Sequence, residues 1–463
     1  MFQNNFIMNI KNTNPVALFL GAPFPRRLLS LGVILAGVLT PLIADPLTPV
    51  GAEAAANADG SIPAWEGGLV QSPASWTPES RREQPFAAET PLFSISKANL
   101  DQYRQKLSPG QIALMEKIPG YRMDVYPTRR SAGYPAEFYE RTQRNLDLAK
   151  LDEKDDMLTG IGGGFLFPRP TNGIQAIWNN RLRYYGTGYI SHELSADVSV
   201  EGRFTPSVNR YSTYAPFHDF ALKDFAAYED VYAYQYSETI SPARLVGDLA
   251  LYKERINSLA EAWIYSAGQR RVRRSPSYNY DSPASEGGLM TIDQVFGLTG
   301  RPDRYDWTLK GKQEMYIPYN TYKLTDPRVD AKEVIKPGAP SRDLVRYELH
   351  RVWQVEGTVK AGMRHLLPKR VLFLDEDSWL CLVADYYDAR GEITRVVESS
   401  MIQATELPAP IVQASWSMDL PSGRYFILGL PALGKEYDLL ALKEGRTSAG
   451  LFTPTELRAR GQR

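Results

Sequence analysis

Hydrophobic spacing along the chain changes once, from helical to alternating. Residues 174–182 place Ile174, Ile177, Trp178 and Leu182 at helical intervals behind Asn172, a residue suited to cap the first turn. Three earlier segments also predict helices: 97–106 capped by Ser96, a helix opened by Ser108-Pro109-Gly110-Gln111, and 135–151 with Phe138, Thr142 and Leu146 on one face. Serine, proline at the first helical position and glutamine three residues after the serine form a capping box. Beyond residue 182 the period falls to two. The segment 231–238 alternates Tyr232, Tyr234 and Tyr236 with smaller residues, and 245–256 and 261–274 predict further strands, the second folding back at Ala267-Gly268. A short helix over 291–298, capped by Thr291 and Gln294, interrupts the series. It resumes at 303–320, 344–359, 370–388, 392–404, 415–419 and 425–430. Asp388-Ala389-Arg390-Gly391 and Pro421-Ser422-Gly423 carry glycine where turns need it. A last short helix opens at Thr453. No fixed period repeats, which excludes a propeller or solenoid. The pattern predicts a β-rich α+β protein, a large curved antiparallel sheet or half-open barrel with several short helices covering it.

The first 93 residues fit neither pattern. Arg26 and Arg27 precede an uncharged apolar run that ends at Ala44. A basic start, a short apolar stretch and a small residue at the exit predict a secretory signal peptide over 1–44. A retained anchor needs roughly 20 apolar residues, and Gly32, Gly37 and Pro41 interrupt this run. The only cysteine, Cys381, is far from any cleavage site, so the expected product is periplasmic and not lipidated. Residues 45–93 carry frequent Pro and Gly without an apolar period and predict an extended N-terminal arm, leaving 94–463 as one domain.

Composition narrows the function classes. Lys plus Arg and Asp plus Glu each number 53, so no net charge draws the whole chain to nucleic acid. Tyr contributes 27 residues, in keeping with a sheet. A single cysteine forms no internal disulfide.

Particular strings then resemble a known family. Leu47-Thr48-Pro49-Val50-Gly51-Ala52-Glu53, Asn57-Ala58-Asp59-Gly60 and Ile62-Pro63-Ala64-Trp65 open the mature part. Trp263-Ile264-Tyr265 leads through Gly268 to Arg270-Arg271-Val272-Arg273-Arg274. Tyr305-Asp306-Trp307, Glu314-Met315-Tyr316-Ile317-Pro318-Tyr319-Asn320 and Asp375-Glu376-Asp377-Ser378-Trp379 follow. The chain is similar, over nearly all of its mature length, to exported Gram-negative proteins of the family known as domain of unknown function 1329. That resemblance implies a fold similar to the outer-membrane lipoprotein-sorting proteins of LolA and LolB type, a half-open barrel around a hydrophobic cavity. It also implies an envelope exporter of the resistance-nodulation-division type as a partner.

Candidate chemistry is sparse. Four histidines (His192, His218, His350, His365) show no metal-ligand spacing and read as ordinary surface or strand residues. Cys381 reads as a small hydrophobe in a strand. Gly160-Ile161-Gly162-Gly163-Gly164 lacks the lysine of a phosphate loop and reads as flexible, and Asp375-Glu376-Asp377 reads as a solvated hairpin tip rather than a calcium site. No catalytic residue, metal or cofactor is assigned. The ligand-binding candidates are Arg271 and Arg273, whose forks suit an anionic head group, and the aromatics Trp263, Trp307 and Tyr316. Strand arginines paired with acids such as Asp248 or Glu254, and half-buried aromatic packing, are the structural alternatives. The expected function is a periplasmic binding or carrier protein for a lipid or other hydrophobic molecule, assisting envelope lipid or lipoprotein trafficking. Two alternatives stand beside it: an enzyme on an envelope glycan using Asp306, Glu314 or Asp385, and a structural partner of an outer-membrane complex.

Overall fold

The computed structural model describes residues 46–462 except 78–80, 153–156, 223–227, 276–279, 436 and 446–447. The expected signal peptide lies outside the described residues. Strands β1 (Phe93–Ser96) and β2 (Arg122–Val125) flank helix α1 (Pro109–Lys117). Helix α2 (Ala136–Leu148), the two-residue strands β3 (Lys150–Leu151) and β4 (Leu158–Thr159), and helix α3 (Gly173–Arg181) come next. Six strands follow: β5 (Ile190–Val198), β6 (Ser207–Tyr214), β7 (Val231–Ser241), β8 (Leu249–Arg255), β9 (Glu261–Ser266) and β10 (Arg271–Arg274). The last stretch holds β11 (Tyr305–Pro318), the one-turn α4 (Ala331–Val334), β12 (Arg346–Val359), β13 (Lys369–Asp375) and β14 (Cys381–Tyr387). It continues through β15 (Ile393–Ala404), β16 (Ala409–Asp419) and β17 (Arg424–Pro431) to α5 (Pro454–Gly461).

All strands but β3 and β4 form one open 15-stranded sheet in the order β1-β2-β12-β13-β14-β15-β16-β17-β5-β6-β7-β8-β9-β10, with β11 also on β12. Every pairing in it is antiparallel except β2 with β12. The sheet is curved and does not close. The predicted long antiparallel series is therefore present, as are the caps at Ser108 and Asn172. Strands β5 and β6, IleSerHisGluLeuSerAlaAspVal and SerValAsnArgTyrSerThrTyr, were not singled out in the sequence, because polar residues such as Ser191, Ser212 and Thr213 fill buried positions and no apolar alternation marks them.

Several local expectations are corrected. The helix expected over 97–106 is two single turns, Leu100–Gln102 and Arg104–Lys106. Ser96 ends β1, and the Asn99 side chain accepts from Ser96 N and donates to Ser94 O, so the chain turns locally instead of entering a helix. On α2, Phe138 and Thr142 are buried but Leu146 is exposed. The buried face continues through Arg141 and Asn145 instead. The Arg141 guanidinium donates to the Gly162 and Leu222 carbonyls, and Asn145 both donates to and accepts from the backbone of Ile161. These bonds hold the glycine loop as a packed segment, not a flexible one.

The tip at Asp375-Glu376-Asp377 is the largest departure: all three acids are buried, at 0%, 1% and 2% exposure. Burying charge is costly unless it is paired, and here cations arrive from several elements. Arg130 grips Asp377 through both oxygens, at 2.8 and 2.7 Å. Arg351 and Lys312 donate to Glu376 at 3.1 and 2.9 Å. His350 Nδ1 lies 3.3 Å from Asp375 Oδ1. The same cations reach the segment before β1. Arg130 donates to the carbonyls of Glu53, Ala54 and Pro63, and Arg351 to that of Ala55. Trp379 Nε1 donates to Val50 O at 3.0 Å, and Val50 and Ala52 enter the main hydrophobic core.

Arg130→Met should therefore destabilise the protein by about 3–5 kcal/mol, because Asp377 is left buried and uncompensated. Chemical denaturation measures the loss, and limited proteolysis should cut first within residues 46–92. A stability within 1 kcal/mol of the parent, with the segment still protected, would remove the network from this role.

Candidate functional site

The second half of the sheet, β5 to β10, presents one face as a trough. Cross-strand partners share a face, and the row Ser191, Tyr211, Ser237, Ala250, Ile264, Arg273 crosses all six strands. Two cavities open on that face. The smaller, about 100 Å³, is lined by Tyr184, Tyr185, Tyr189, Thr213, Gln235 and Tyr437 among others. The larger, about 670 Å³, is lined by Asp197, Asn209, Tyr211, Arg424 and Phe426 among others. Strand β6 gives Thr213 to the first and Asn209 and Tyr211 to the second. These are alternate residues of one strand, which places both cavities on the same side of the sheet. The segment 292–299 covers the smaller cavity with Ile292, Val295, Phe296 and Thr299.

The trough is mixed in polarity. Glu193 pairs across with Asn209 on the trough side. Burial pushes its carboxyl up, against hydrogen bonds from Ser191 and Tyr437. Burial likewise raises the phenols of Tyr189 and Tyr211, with the Glu193 charge adding to it, so both keep their protons as donors. Asp197 accepts from Gly287 N with one oxygen, while its other oxygen is buried without a hydrogen bond. Arg183 Nη1, at the smaller cavity, is buried without a partner as well, while the Thr213 hydroxyl beside it bonds the Tyr189 side chain.

The ligand-binding candidates scatter. Arg271 and Arg273 are exposed on the edge strand β10; by alternation they sit on the trough face, at its open end. Trp263 pairs with Arg274 and faces the opposite side, where it packs with Tyr265 and Val272 beneath α5. Of the β10 arginines, Arg274 meets an acid, Glu261, at 2.9 Å; Glu254 belongs to Arg181 instead, also at 2.9 Å. Trp307 is half-buried on β11, donating to Pro302 O at 2.8 Å. A side chain on Gly173 of α3 would collide with its backbone. Tyr316 is buried on the same strand with Phe93 and Tyr103. Strands β10 and β11 stand at opposite ends of the sheet order. The structure thus brings Arg271 and Arg273 together with the trough, but not with Trp263, Trp307 or Tyr316.

The candidate acids are also apart. Asp306 is exposed on β11, Glu314 pairs with Lys106 at 3.0 Å, and Asp385 is buried beneath α1. Asp385 accepts from Ser108 Oγ and Gly110 N at 3.0 and 2.9 Å, and the close approach requires glycine at 110, where a Cβ would lie 2.0 Å from the carboxylate. Three of the four histidines are interior rather than superficial. His350 with Asp375 and Asp377 forms the one metal-like group among the described residues, ligand atoms within 4.8 Å of one another. Arg130 already occupies both oxygens of Asp377. Asp375 and Glu348 hold the His350 imidazole up at about 9 despite its burial, so an imidazolium supplies the charge a metal would. Cys381 is a buried strand residue, its thiol pushed up to about 12 by burial.

The residues that sequence reasoning missed are Arg183, Tyr184, Tyr185 and Tyr189. Their signal was present: an arginine and three tyrosines crowd the seven residues after a predicted helix. A helix exit, with no periodicity of its own, hides such a cluster.

An open, curved antiparallel sheet with short helices and a ligand-sized trough defines an α+β protein of half-barrel type. The chain belongs to the DUF1329 family, described as proteins of unknown function, whose model matches residues 94–458. The uncharacterized protein PA3922 of Pseudomonas aeruginosa is 41% identical over 430 residues, 90% of this chain and 92% of that one. Among solved structures, the chain is similar to a putative outer membrane lipoprotein-sorting protein domain from Vibrio parahaemolyticus, at a TM-score of 0.42 and 12% identity. That match covers 62% of this chain and 98% of the other. A DUF1329 family protein from Desulfovibrio piger gives 0.38 at 16% identity over 61% and 95% of the two chains. A LolA superfamily protein from Nitrosomonas europaea gives 0.37 at 11% over 62% and 99%.

The environment of Asp385 predicts a pH dependence of stability. Burial raises its carboxyl to about 7, with the Glu398 charge adding to it and the bonds from Gly110 and Ser108 opposing. The folded state then holds a proton that the unfolded chain releases near 3.8. Stability should fall as pH rises from about 4 to about 7, by up to roughly 1.4 kcal/mol per unit, and level off above. Urea denaturation of the parent and of Asp385→Asn across this window checks it: the variant should lose that slope. Equal slopes would overturn the assignment.

Proposed function

We propose that this protein is a periplasmic binding or carrier protein for a lipid or other hydrophobic molecule, held in the β5–β10 trough. The observation that supports the reading most is the trough itself. One sheet face carries two cavities of about 100 and 670 Å³ with unpartnered polar atoms at both. Ligand sites of small molecules are concave and largely apolar, with a few polar groups that fix orientation. Tyrosines meet this need because each presents an apolar ring and a polar tip.

The periplasmic part of the proposal rests on the export pattern of residues 1–44 and is in keeping with a structure in which no helix among the described residues is long and apolar enough to cross a membrane. A role in envelope lipid or lipoprotein trafficking belongs to the same proposal. The exporter partner has no counterpart among these observations and is not carried further. A binding role is preferred to glycan hydrolysis because Asp306, Glu314 and Asp385 share no cleft. Arg271 and Arg273, on the trough face at its open end, would meet an anionic ligand as it enters, and a rim charge acts mainly on association.

A dansyl-labelled undecanoic acid should bind the mature protein saturably, with a rise in fluorescence at about one molecule per chain. Ala233 is buried at the smaller cavity, and Ala233→Trp should fill it and weaken binding at least ten-fold while the circular dichroism stays unchanged. Arg271→Ala with Arg273→Ala should slow association at low salt only. No saturable binding to the parent would sink the proposal.

A further inference from the structure

Arg183 carries an inference about what the ligand must be. It follows α3 by two residues and lines the smaller cavity. Its backbone is pinned from two sides. His218 Nε2 and Tyr232 Oη both donate to the Arg183 carbonyl at 2.8 Å. His218 can act only as a neutral donor, since burial drives its imidazole down to about 3. The Arg183 side chain, by contrast, makes no hydrogen bond and no ion pair among the described residues, and its Nη1 is buried without a partner. Its guanidinium lies over the Phe296 ring, 4.9 Å from the centroid. Phe296 holds a φ of 54°, the left-handed region that bulky residues seldom adopt. Strain of this kind persists where the surroundings enforce it, and it clusters at ligand clamps.

The charge balance of the cavity points the same way. Glu254 is the one carboxylate in its lining, and it is already committed to Arg181 at 2.9 Å. Arg183 therefore adds one uncompensated positive charge to a cavity otherwise walled by tyrosines, aliphatic side chains, Thr213, Gln235 and Thr299. The Thr213 hydroxyl, which bonds the Tyr189 side chain, stands at the same cavity on β6. A half-buried guanidinium fork, its Nη1 without a partner, is matched best by a planar or tetrahedral oxyanion.

We infer that Arg183 is the anchor for the anionic end of the bound molecule, and that the ligand class is a chain or ring compound ending in an oxyanion. This rests on the binding role proposed above. The apolar body runs along the tyrosines of the trough, and the oxyanion takes the Arg183 fork and the Thr213 hydroxyl. Both fatty acids and alkyl phosphates offer that chemistry.

The experiment uses the full mature chain and three probes of equal chain length, each with the same dansyl label: a carboxylic acid, an alkyl phosphate and a neutral alcohol. At least one anion should bind about ten- to a hundred-fold more tightly than the alcohol, the range expected for a hydrogen-bonded charge. The tighter of the two anions names the source. Arg183→Met should erase that preference by weakening the anions at least ten-fold relative to the alcohol. Arg183→Lys, which keeps the charge and loses the fork, should restore only part of it and covers the case in which the methionine variant does not fold. Equal binding of all three probes to the parent would overturn the anchor while leaving a trough that binds apolar molecules. Binding of none would overturn the trough reading and the anchor with it.

Discussion

An acidic hairpin tip can remain dry only if cations are delivered to it, and the way they are delivered organises this molecule. Asp375, Glu376 and Asp377 stand at the turn between two central strands, where solvent would normally take them. Arg130 comes from the segment after β2, Lys312 from β11 and Arg351 from β12. Arg130 and Arg351 have donors left over, which go to backbone carbonyls of Glu53, Ala54, Ala55 and Pro63, and Lys312 also reaches the Glu53 carboxylate. A segment with no regular structure and no ladder of its own thereby has its polar groups satisfied, as burial demands. Pairing charge in this way contributes little net stability against an apolar replacement, but removing one member is expensive. The network therefore acts more as a constraint on where the chain must go than as a source of binding energy.

That constraint divides the labour of the sheet. Around β12 to β16, the extended segment, α2 and α3 cover the strands, and the residues facing them are large and apolar. From β5 to β10 the strands are shorter in apolar content, and α5 packs only on the face that carries Trp263 and Tyr265. The other face is left with serines, asparagine, tyrosines and Ile264, 41% exposed. A face covered only in part invites either aggregation or a ligand. The edge answers the first hazard: β10 ends the sheet with three arginines in four residues, directly after Arg270, and charged side chains blunt an open edge. The cavities answer to the second.

What the sequence disclosed follows from how local each signal is. Caps at Ser108 and Asn172, the tyrosine alternation of β7 and the turn at Gly391 depend on neighbours within a few residues, and they appear where their spacing puts them. The failures depend on distant partners. Nothing near Asp377 shows that Arg130, 247 positions earlier in the chain, lies across from it. Leu146 looked like the continuation of an apolar stripe, yet Arg141 and Asn145 are buried in its place because the glycine loop offers carbonyls to them. The site suffers most from this. Trp263 and Arg273 are close in sequence and on opposite faces. Arg183 and Thr213, far less conspicuous, share one cavity through the pairing of β6 with β7 and the exit of α3.

The polarity of the trough limits what can occupy it more than its volume does. A purely hydrocarbon ligand would leave Arg183 Nη1 and Asp197 Oδ1 without partners, a cost of about 1–3 kcal/mol for a neutral group and more for a charged one. Burial of apolar area, at about 25 cal/mol per Å², would need on the order of 100 Å² to offset each such loss. An amphipathic molecule avoids the loss because its polar end supplies the partner that the fork lacks. The arrangement of the strand partners sets the direction as well. With Arg183 at the covered end beneath Phe296 and the β10 arginines at the open end, a ligand carrying one charge meets cations at both ends of its path. At the covered end the cation is half-buried against Phe296, and there the same charge is worth more than at the exposed edge.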